Sequence, residues 1–169
     1  VLHGLFSGDD FGYSGSDNDM LYGEQGADRL IGYRGDDVLD GGAGRDELLG
    51  DVDLSLWYYG PTGIEGFENP PPTGSDTFVL RAGDGGLTPA LADVILDFQD
   101  GTDVLGLASG LSFDDLVIAQ GTGSYAADVL ISVESSGEYL AVVEDTLSSN
   151  LTVFDFSSAS LSPVSLVGD

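Results

Sequence analysis

The chain has no cysteine, and one histidine, one tryptophan and one methionine among its 169 residues. Without cysteine there is no disulfide and no thiolate metal site, so any staple of the fold must be something else. Lysine is also missing. The four basic residues, Arg29, Arg34, Arg45 and Arg81, stand against 30 acidic ones and leave a net charge of −26. Phosphate contacts need a basic patch, so no nucleic-acid partner is expected. An anionic lipid surface is disfavoured for the same reason. No apolar run approaches ~18 residues, and no membrane-spanning helix is expected. The lone His3 excludes the paired histidines of HExxH, and no GxSxG elbow occurs. With no catalytic constellation, the chain is expected not to be an enzyme. Its opening, VLHGLFSGDD, has neither the charged nor the apolar part of a signal peptide and no methionine, which suggests a processed product or a fragment of something longer.

What is present is order at a period of nine. In frame, the chain reads Leu5–Tyr13 (LFSGDDFGY), Ser14–Tyr22 (SGSDNDMLY), Gly23–Ile31 (GEQGADRLI), Gly32–Asp40 (GYRGDDVLD) and Gly41–Leu49 (GGAGRDELL). Aspartate recurs at the sixth position as Asp10, Asp19, Asp28, Asp37 and Asp46, and leucine at the eighth as Leu21, Leu30, Leu39 and Leu48. Each unit reads as a glycine-rich turn followed by a very short strand. Such strands cannot stand alone and must stack, two repeats making one coil of about 18 residues with strands on opposite walls, neighbours ~4.8 Å apart. The leucines then form the core. The turns present carbonyl and carboxylate oxygens, because glycine reaches positive φ without a Cβ clash. One turn cannot supply the roughly six to eight oxygens at ~2.3–2.6 Å that calcium requires, but two turns stacked eighteen residues apart can.

The register breaks at Gly50–Asn69, which holds Trp57, Tyr58, Tyr59 and Phe67, and Pro70, Pro71 and Pro72 follow. This reads as an inserted surface loop whose aromatics pack onto the roll. The period resumes once, at Pro71–Val79. Beyond Leu80 short alternating runs appear at Ala92–Phe98, Asp103–Leu107, Asp115–Ala119, Ala127–Val133, Glu138–Val143 and Leu151–Phe156. They predict an all-β meander. Pro89 argues against a helix over Thr88–Ala92. The expected organisation is therefore all-β throughout: a parallel roll over 1–79, with the insertion at about 50–70, and a β-rich region over 80–169 that caps its open edge.

Residues 14–49 resemble the RTX family of GGxGxDxUx calcium-binding β-rolls, also called hemolysin-type repeats. Asp93–Leu107 (DVILDFQDGTDVLGL) and Phe113–Leu116 are similar to the segment that follows such rolls. The resemblance implies calcium as the bound ion, with about three to five ions, each an oxygen-liganded hard cation. Each ion would take carbonyls from positions 2 and 4 and the aspartate of one turn. It would take carbonyls from positions 1 and 3 and the aspartate of the turn two repeats later. Carried over, a first site uses Phe6, Gly8 and Asp10 with Gly23, Gln25 and Asp28. A second uses Gly15, Asp17 and Asp19 with Gly32, Arg34 and Asp37. A third uses Glu24, Gly26 and Asp28 with Gly41, Ala43 and Asp46. A fourth joins Gly42, Gly44 and Asp46 to Pro71, Thr73 and Asp76, if the insertion fills one half-coil. Departures from the pattern are Gly12 at a core position, Asp17 at a glycine position, and Phe6, Glu24 and Tyr33 where position 2 calls for glycine. Asp97, Asp100 and Asp103 are either ligands of a further ion or turn formers.

The implied function is an extracellular, secreted or cell-surface calcium-binding domain that folds when the ion arrives, exported by a type I route. One alternative is a structural subunit that stacks head to tail, as a homo-oligomer or polymer, in a filament or surface layer. Another is the accessory C-terminal domain of a secreted protease, lipase or toxin. Asp51–Ser55 opens like an EF-hand loop but lacks its later glycine and glutamate, and the Asn150–Thr152 sequon reads as chance.

Overall fold

A computed structural model of the chain describes residues 3–7, 11–13, 17–51 and 74–159. Its strands form two sheets that face each other as the walls of a roll. Wall one runs β1 (His3–Ser7), β3 (Met20–Gly26), β5 (Val38–Asp40), β8 (Thr77–Leu80), β10 (Val104–Leu107) and β14 (Phe156–Ser158), every pair parallel. The short β6 (Ala43–Gly44) pairs with the far end of β3. Wall two runs β2 (Phe11–Tyr13), β4 (Arg29–Tyr33), β7 (Glu47–Asp51), β9 (Asp93–Ile95) and β13 (Tyr139–Val143) in parallel. It ends in the antiparallel strands β12 (Val129–Val133) and β11 (Leu116–Gln120).

The nine-residue period fixes which side chain is buried. Met20 lies beside Val38 and Arg29 beside Glu47, so neighbours on one wall are eighteen residues apart and each repeat repeats its orientation. Eighth-position residues therefore stack. Leu21 sits on Leu39, Leu39 on Phe78, Phe78 on Leu105 and Leu105 on Phe156 in wall one. Wall two stacks Leu30 on Leu48, Leu48 on Ile95 and Ile95 on Val143. These rows meet in one core, with Leu30, Leu39, Leu48, Phe78, Ile95 and Leu105 fully buried. Burying a side chain of this size stabilises by about 1.5–3 kcal/mol, and only stacking makes that available to strands so short.

Both walls continue past residue 80. The expected boundary at 79/80 falls inside β8, which pairs with β5 on one side and β10 on the other. The runs expected as a meander supply β9 to β14. Only β11, β12 and β13 form an antiparallel meander, while β9, β10 and β14 join the parallel walls. Alternating apolar residues predict a strand but do not choose its partner's direction. Pro89–Leu91 is a single 3-10 turn with proline at its start, in keeping with the fixed φ and missing N–H of that residue. Among the described residues no helix is long and apolar enough to cross a membrane.

The insertion enters at a different point from the one expected. Gly50 and Asp51 belong to β7, with Asp51 beside Tyr33. Ser75 donates its N–H to Asp36, and Asp37 donates its N–H to Asp76. Gly50, Asp51, Gly74, Ser75 and Asp76 thus occupy positions 1, 2, 4, 5 and 6 of one turn stacked on Gly32–Asp37. The chain leaves that turn after Asp51 and rejoins it at Gly74. Trp57, Tyr58, Tyr59 and Phe67 lie outside the described residues.

Candidate metal centre

Aspartates line each edge of the roll, and each reaches one coil back. Asp37 Oδ1 accepts the N–H of Asp19 at 2.7 Å, Asp76 Oδ1 that of Asp37 at 2.9 Å, and Asp103 Oδ1 that of Asp76 at 3.0 Å. On the other edge Asp46 Oδ1 accepts from Asp28 at 2.8 Å and Asp93 Oδ1 from Asp46 at 3.0 Å. The backbone carbonyl of each ladder aspartate is also used: Val38 donates to Asp19, Glu47 to Asp28, Thr77 to Asp37, Val94 to Asp46 and Val104 to Asp76. These are buried residues; Asp46 has no exposed surface and Asp37 and Asp76 have 1% each.

In Asp37, Asp46 and Asp76 one carboxylate oxygen is thereby satisfied and the other is not. Oδ2 of Asp37, Asp46 and Asp76, and Oδ1 of Asp51, are buried without a hydrogen-bond partner. A buried anionic oxygen left in that state is costly, and a cation is the usual remedy. The surroundings are oxygen-rich. A Cβ at Gly41 would collide with Asp46 Oδ2, one at Gly50 with Asp76 Oδ2, and one at Gly32 with both Asp37 Oδ2 and Gly50 O. Carbonyls of neighbouring coils face the same gaps: Asp17 O abuts Gly35, Glu24 O abuts Gly42, Gly26 O abuts Gly44, and Gly41 O abuts Gly23. The required turn carries a strain where glycine is absent. Glu24 and Tyr33 adopt φ of 70° and 74°, as Gly42 does at 87°.

Burial dominates the titration of these groups. It raises Asp37 and Asp46 to about 6, although the N–H groups of Asp19 and Asp28 pull the other way and neighbouring aspartates add to the rise. Asp76 is raised to about 7 by burial, against the N–H of Asp37 and with the charges of Asp103, Asp51 and Asp37 behind it. Burial likewise lifts Asp93 well above the ordinary range. Repulsion among so many carboxylates is relieved by a bound dication or by protons.

The donor set fits calcium. Among the described residues no three His, Cys, Asp or Glu side chains converge into a cage of their own. An ion here would draw on backbone carbonyls as well as paired carboxylates, as a hard, flexible oxygen-seeking cation does. The sequence-derived sets are placed as follows. Glu24, Gly26 and Asp28 face Gly41, Ala43 and Asp46 across one gap, and Gln25 pairs with Ala43. Asp19 bonds to Asp37 and Asp17 O lies against Gly35, while Gly15 lies outside the described residues. Of the first set, Phe6 lies in β1 between Leu5, which pairs with Tyr22, and Ser7, which pairs with Gln25, and Gly8 and Asp10 lie outside the described residues. The fourth set is not assembled. Gly42, Gly44 and Asp46 do not face Asp76; Asp46 stacks on Asp93, and Asp76 on Asp37, because Gly50 and Asp51 already open the turn that Asp76 closes. Pro71 and Thr73 lie outside the described residues. Sequence reasoning missed Asp93, whose signal was its place at the head of the apolar run that forms β9. It also missed Arg81, which pairs with Asp40 Oδ2 at 2.8 Å and Asp84 Oδ2 at 2.9 Å.

Fold and site together define a parallel β-roll of nonapeptide coils whose turns are built to take calcium. Residues 13–48 match the RTX calcium-binding nonapeptide repeat in four copies. No curated protein sequence matches the chain. Solved structures share the fold, two of them as follows. The extracellular lipase LipA from Serratia marcescens superposes with a TM-score of 0.57 at 20% identity, over 90% of this chain and 20% of the lipase. The AlgE6R3 subunit of the mannuronan C5-epimerase from Azotobacter vinelandii gives 0.55 at 22% identity, over 95% of this chain and 84% of that one. The chain therefore spans about a fifth of the lipase's length.

Proposed function

We propose that this is a non-enzymatic, extracellular calcium-binding roll whose folding is driven by ions bridging its stacked turns. The observation that carries the reading is the row of buried, half-satisfied carboxylates at Asp37, Asp46 and Asp76. Bound calcium would supply the positive charge that these coils lack. The chain's own residues do the rest. The aspartates tie each coil to the next through their Oδ1 atoms, the glycines admit carbonyls into the gap, and the leucines bury the walls once the coils are apposed. The ion has no preformed site on an unfolded chain, so its binding free energy becomes folding free energy. Calcium is scarce inside cells and plentiful outside, which suits a chain that stays open through export and folds afterwards. The test is the melting temperature by scanning calorimetry in millimolar calcium and in chelator. A rise that grows with calcium concentration is expected, and an unchanged melting temperature would refute the reading.

A second reading makes the roll the accessory part of a secreted enzyme. It is favoured by the likeness to one fifth of an extracellular lipase. The full reading frame, with or without a catalytic domain, decides between the two.

A further inference from the structure

The sequence places aspartate directly before glycine three times, at Asp40–Gly41, Asp84–Gly85 and Asp100–Gly101. In such a pair the glycine nitrogen can approach the Cγ of the preceding aspartate, because no glycine side chain stands in the way. The fold blocks that approach at two of the three. Asp40 is 4% exposed, and Arg81 grips it, with Nη1 3.1 Å from Oδ1 and Nη2 2.8 Å from Oδ2. Gly41 beside it is buried, and a Cβ there would strike Asp46. Asp84 Oδ2 accepts from Arg81 Nη1 at 2.9 Å, and the N–H of Gly85 donates to Glu138 Oε1 at 3.0 Å. Carboxylate and attacking nitrogen are both engaged there.

Asp100–Gly101 is different. Residues 99–102 are exposed and form a turn, closed by Thr102 N and Asp103 N donating to Gln99 O at 3.0 and 2.9 Å. Gly101 takes a left-handed φ of 75°, which suits glycine at the third position of such a turn. The space where a Cβ would stand is empty within 4 Å. Among the described residues nothing bonds the Asp100 carboxylate or the N–H of Gly101. The turn is nevertheless anchored around them. Gln99 N donates to Asp103 Oδ2 at 2.8 Å, Asp103 Oδ1 accepts from Asp76 N at 3.0 Å, and Ser75 Oγ donates to Thr102 O. An unengaged pair thus sits in a turn that ties one coil to the next.

We infer that Asp100–Gly101 is a site of covalent modification, where the folded chain isomerises to isoaspartate through a cyclic imide. The Gly101 nitrogen bonds to Asp100 Cγ, and one carboxyl oxygen leaves as water, taking the amide proton and the acid proton. Water then reopens the ring. Cleavage between nitrogen and Cγ returns aspartate. Cleavage between nitrogen and the Asp100 carbonyl carbon leaves the main chain running through Cγ, one carbon longer between Gln99 and Asp103. Nothing is oxidised or reduced. The product is a substrate for carboxyl methyltransferases that use S-adenosylmethionine and recognise isoaspartate. The test ages the full chain in calcium, and a second sample in urea with chelator, then labels both with such a methyltransferase and maps the label by peptide. In the folded sample the Asp100 peptide should carry roughly tenfold more label than those of Asp40 and Asp84, which react only on local opening. In urea the three should be alike. Asp100→Ala should remove that label, and Asp100→Asn should convert faster, with ammonia leaving in place of water and a gain in mass. No label at Asp100 in the folded chain, equal label at all three there, or an Asp100→Asn chain that does not convert overturns the inference.

Discussion

The backbone N–H of Asp37 donates to Asp76 Oδ1 at 2.9 Å, although thirty-nine residues separate the two. The same bond joins Asp19 to Asp37 across eighteen. The described residues on either side, Gly50–Asp51 and Gly74–Asp76, therefore keep the repeat geometry of one turn.

Replacing residues 52–73 with a single glycine should restore an uninterrupted nonapeptide, Gly50–Asp51–Gly–Gly74–Ser75–Asp76 leading into Thr77–Val79. The shortened chain is expected to keep its β content and its calcium response, since a shorter loop costs less entropy to close. Circular dichroism with and without calcium checks this. Loss of the calcium response would mean the insertion itself holds the coil together.

This contact also shows where the sequence was and was not legible. The sixth and eighth positions announced the buried aspartates and leucines because both depend only on local periodicity, and the eighteen-residue register follows from two repeats per coil. The stacking of Asp76 on Asp37 was hidden because Pro71–Val79 can be read as a whole repeat, when Gly50 and Asp51 already supply its first two positions. The stacking of Asp93 on Asp46 spans forty-seven residues and is out of step with the eighteen-residue register, so spacing did not reveal its partner. Arg81's role depends on Asp40 and Asp84 meeting in space, which spacing does not reveal.

The core rows set the energy of stacking. Leu39→Ala or Leu48→Ala should cost about 2–5 kcal/mol, the range for a buried leucine that leaves a cavity. The calcium concentration needed for folding should rise with it. Leu87→Ala, at a position 74% exposed, should change stability by no more than about 0.5 kcal/mol. Calcium-driven folding curves for the three variants measure the contrast.

Glu24 is exposed and holds a φ of 70° that its turn demands. Glu24→Gly should stabilise the calcium-bound roll by about 1 kcal/mol, the typical penalty for a left-handed non-glycine residue. Gly44→Ala should do the reverse, because its φ is 148° and a Cβ there would strike Gly26 O. Thermal melts in saturating calcium compare them.

Acid should partly replace the metal. Asp37 and Asp46 titrate near 6 and Asp76 near 7 in the folded chain, against an ordinary aspartate value of 3.8. The folded state thus holds more protons than the unfolded one between about pH 4 and 7, and stability of the metal-free chain must fall as pH rises through that window. Metal-free protein is expected to gain β structure on acidification from pH 7 toward 4, and calcium to bind more weakly there because protons compete for the same oxygens. A metal-free chain whose stability climbs with pH over this range would contradict the burial assigned to these carboxylates.

Amide hydrogen exchange tests the central claim most directly, read at Asp28, Asp37 and Asp46, whose N–H groups bond to the carboxylates of the next coil. In calcium these amides should be among the slowest to exchange, and in chelator they should exchange as an unfolded chain does. Equal protection in both conditions would show that the coils stack without the ion.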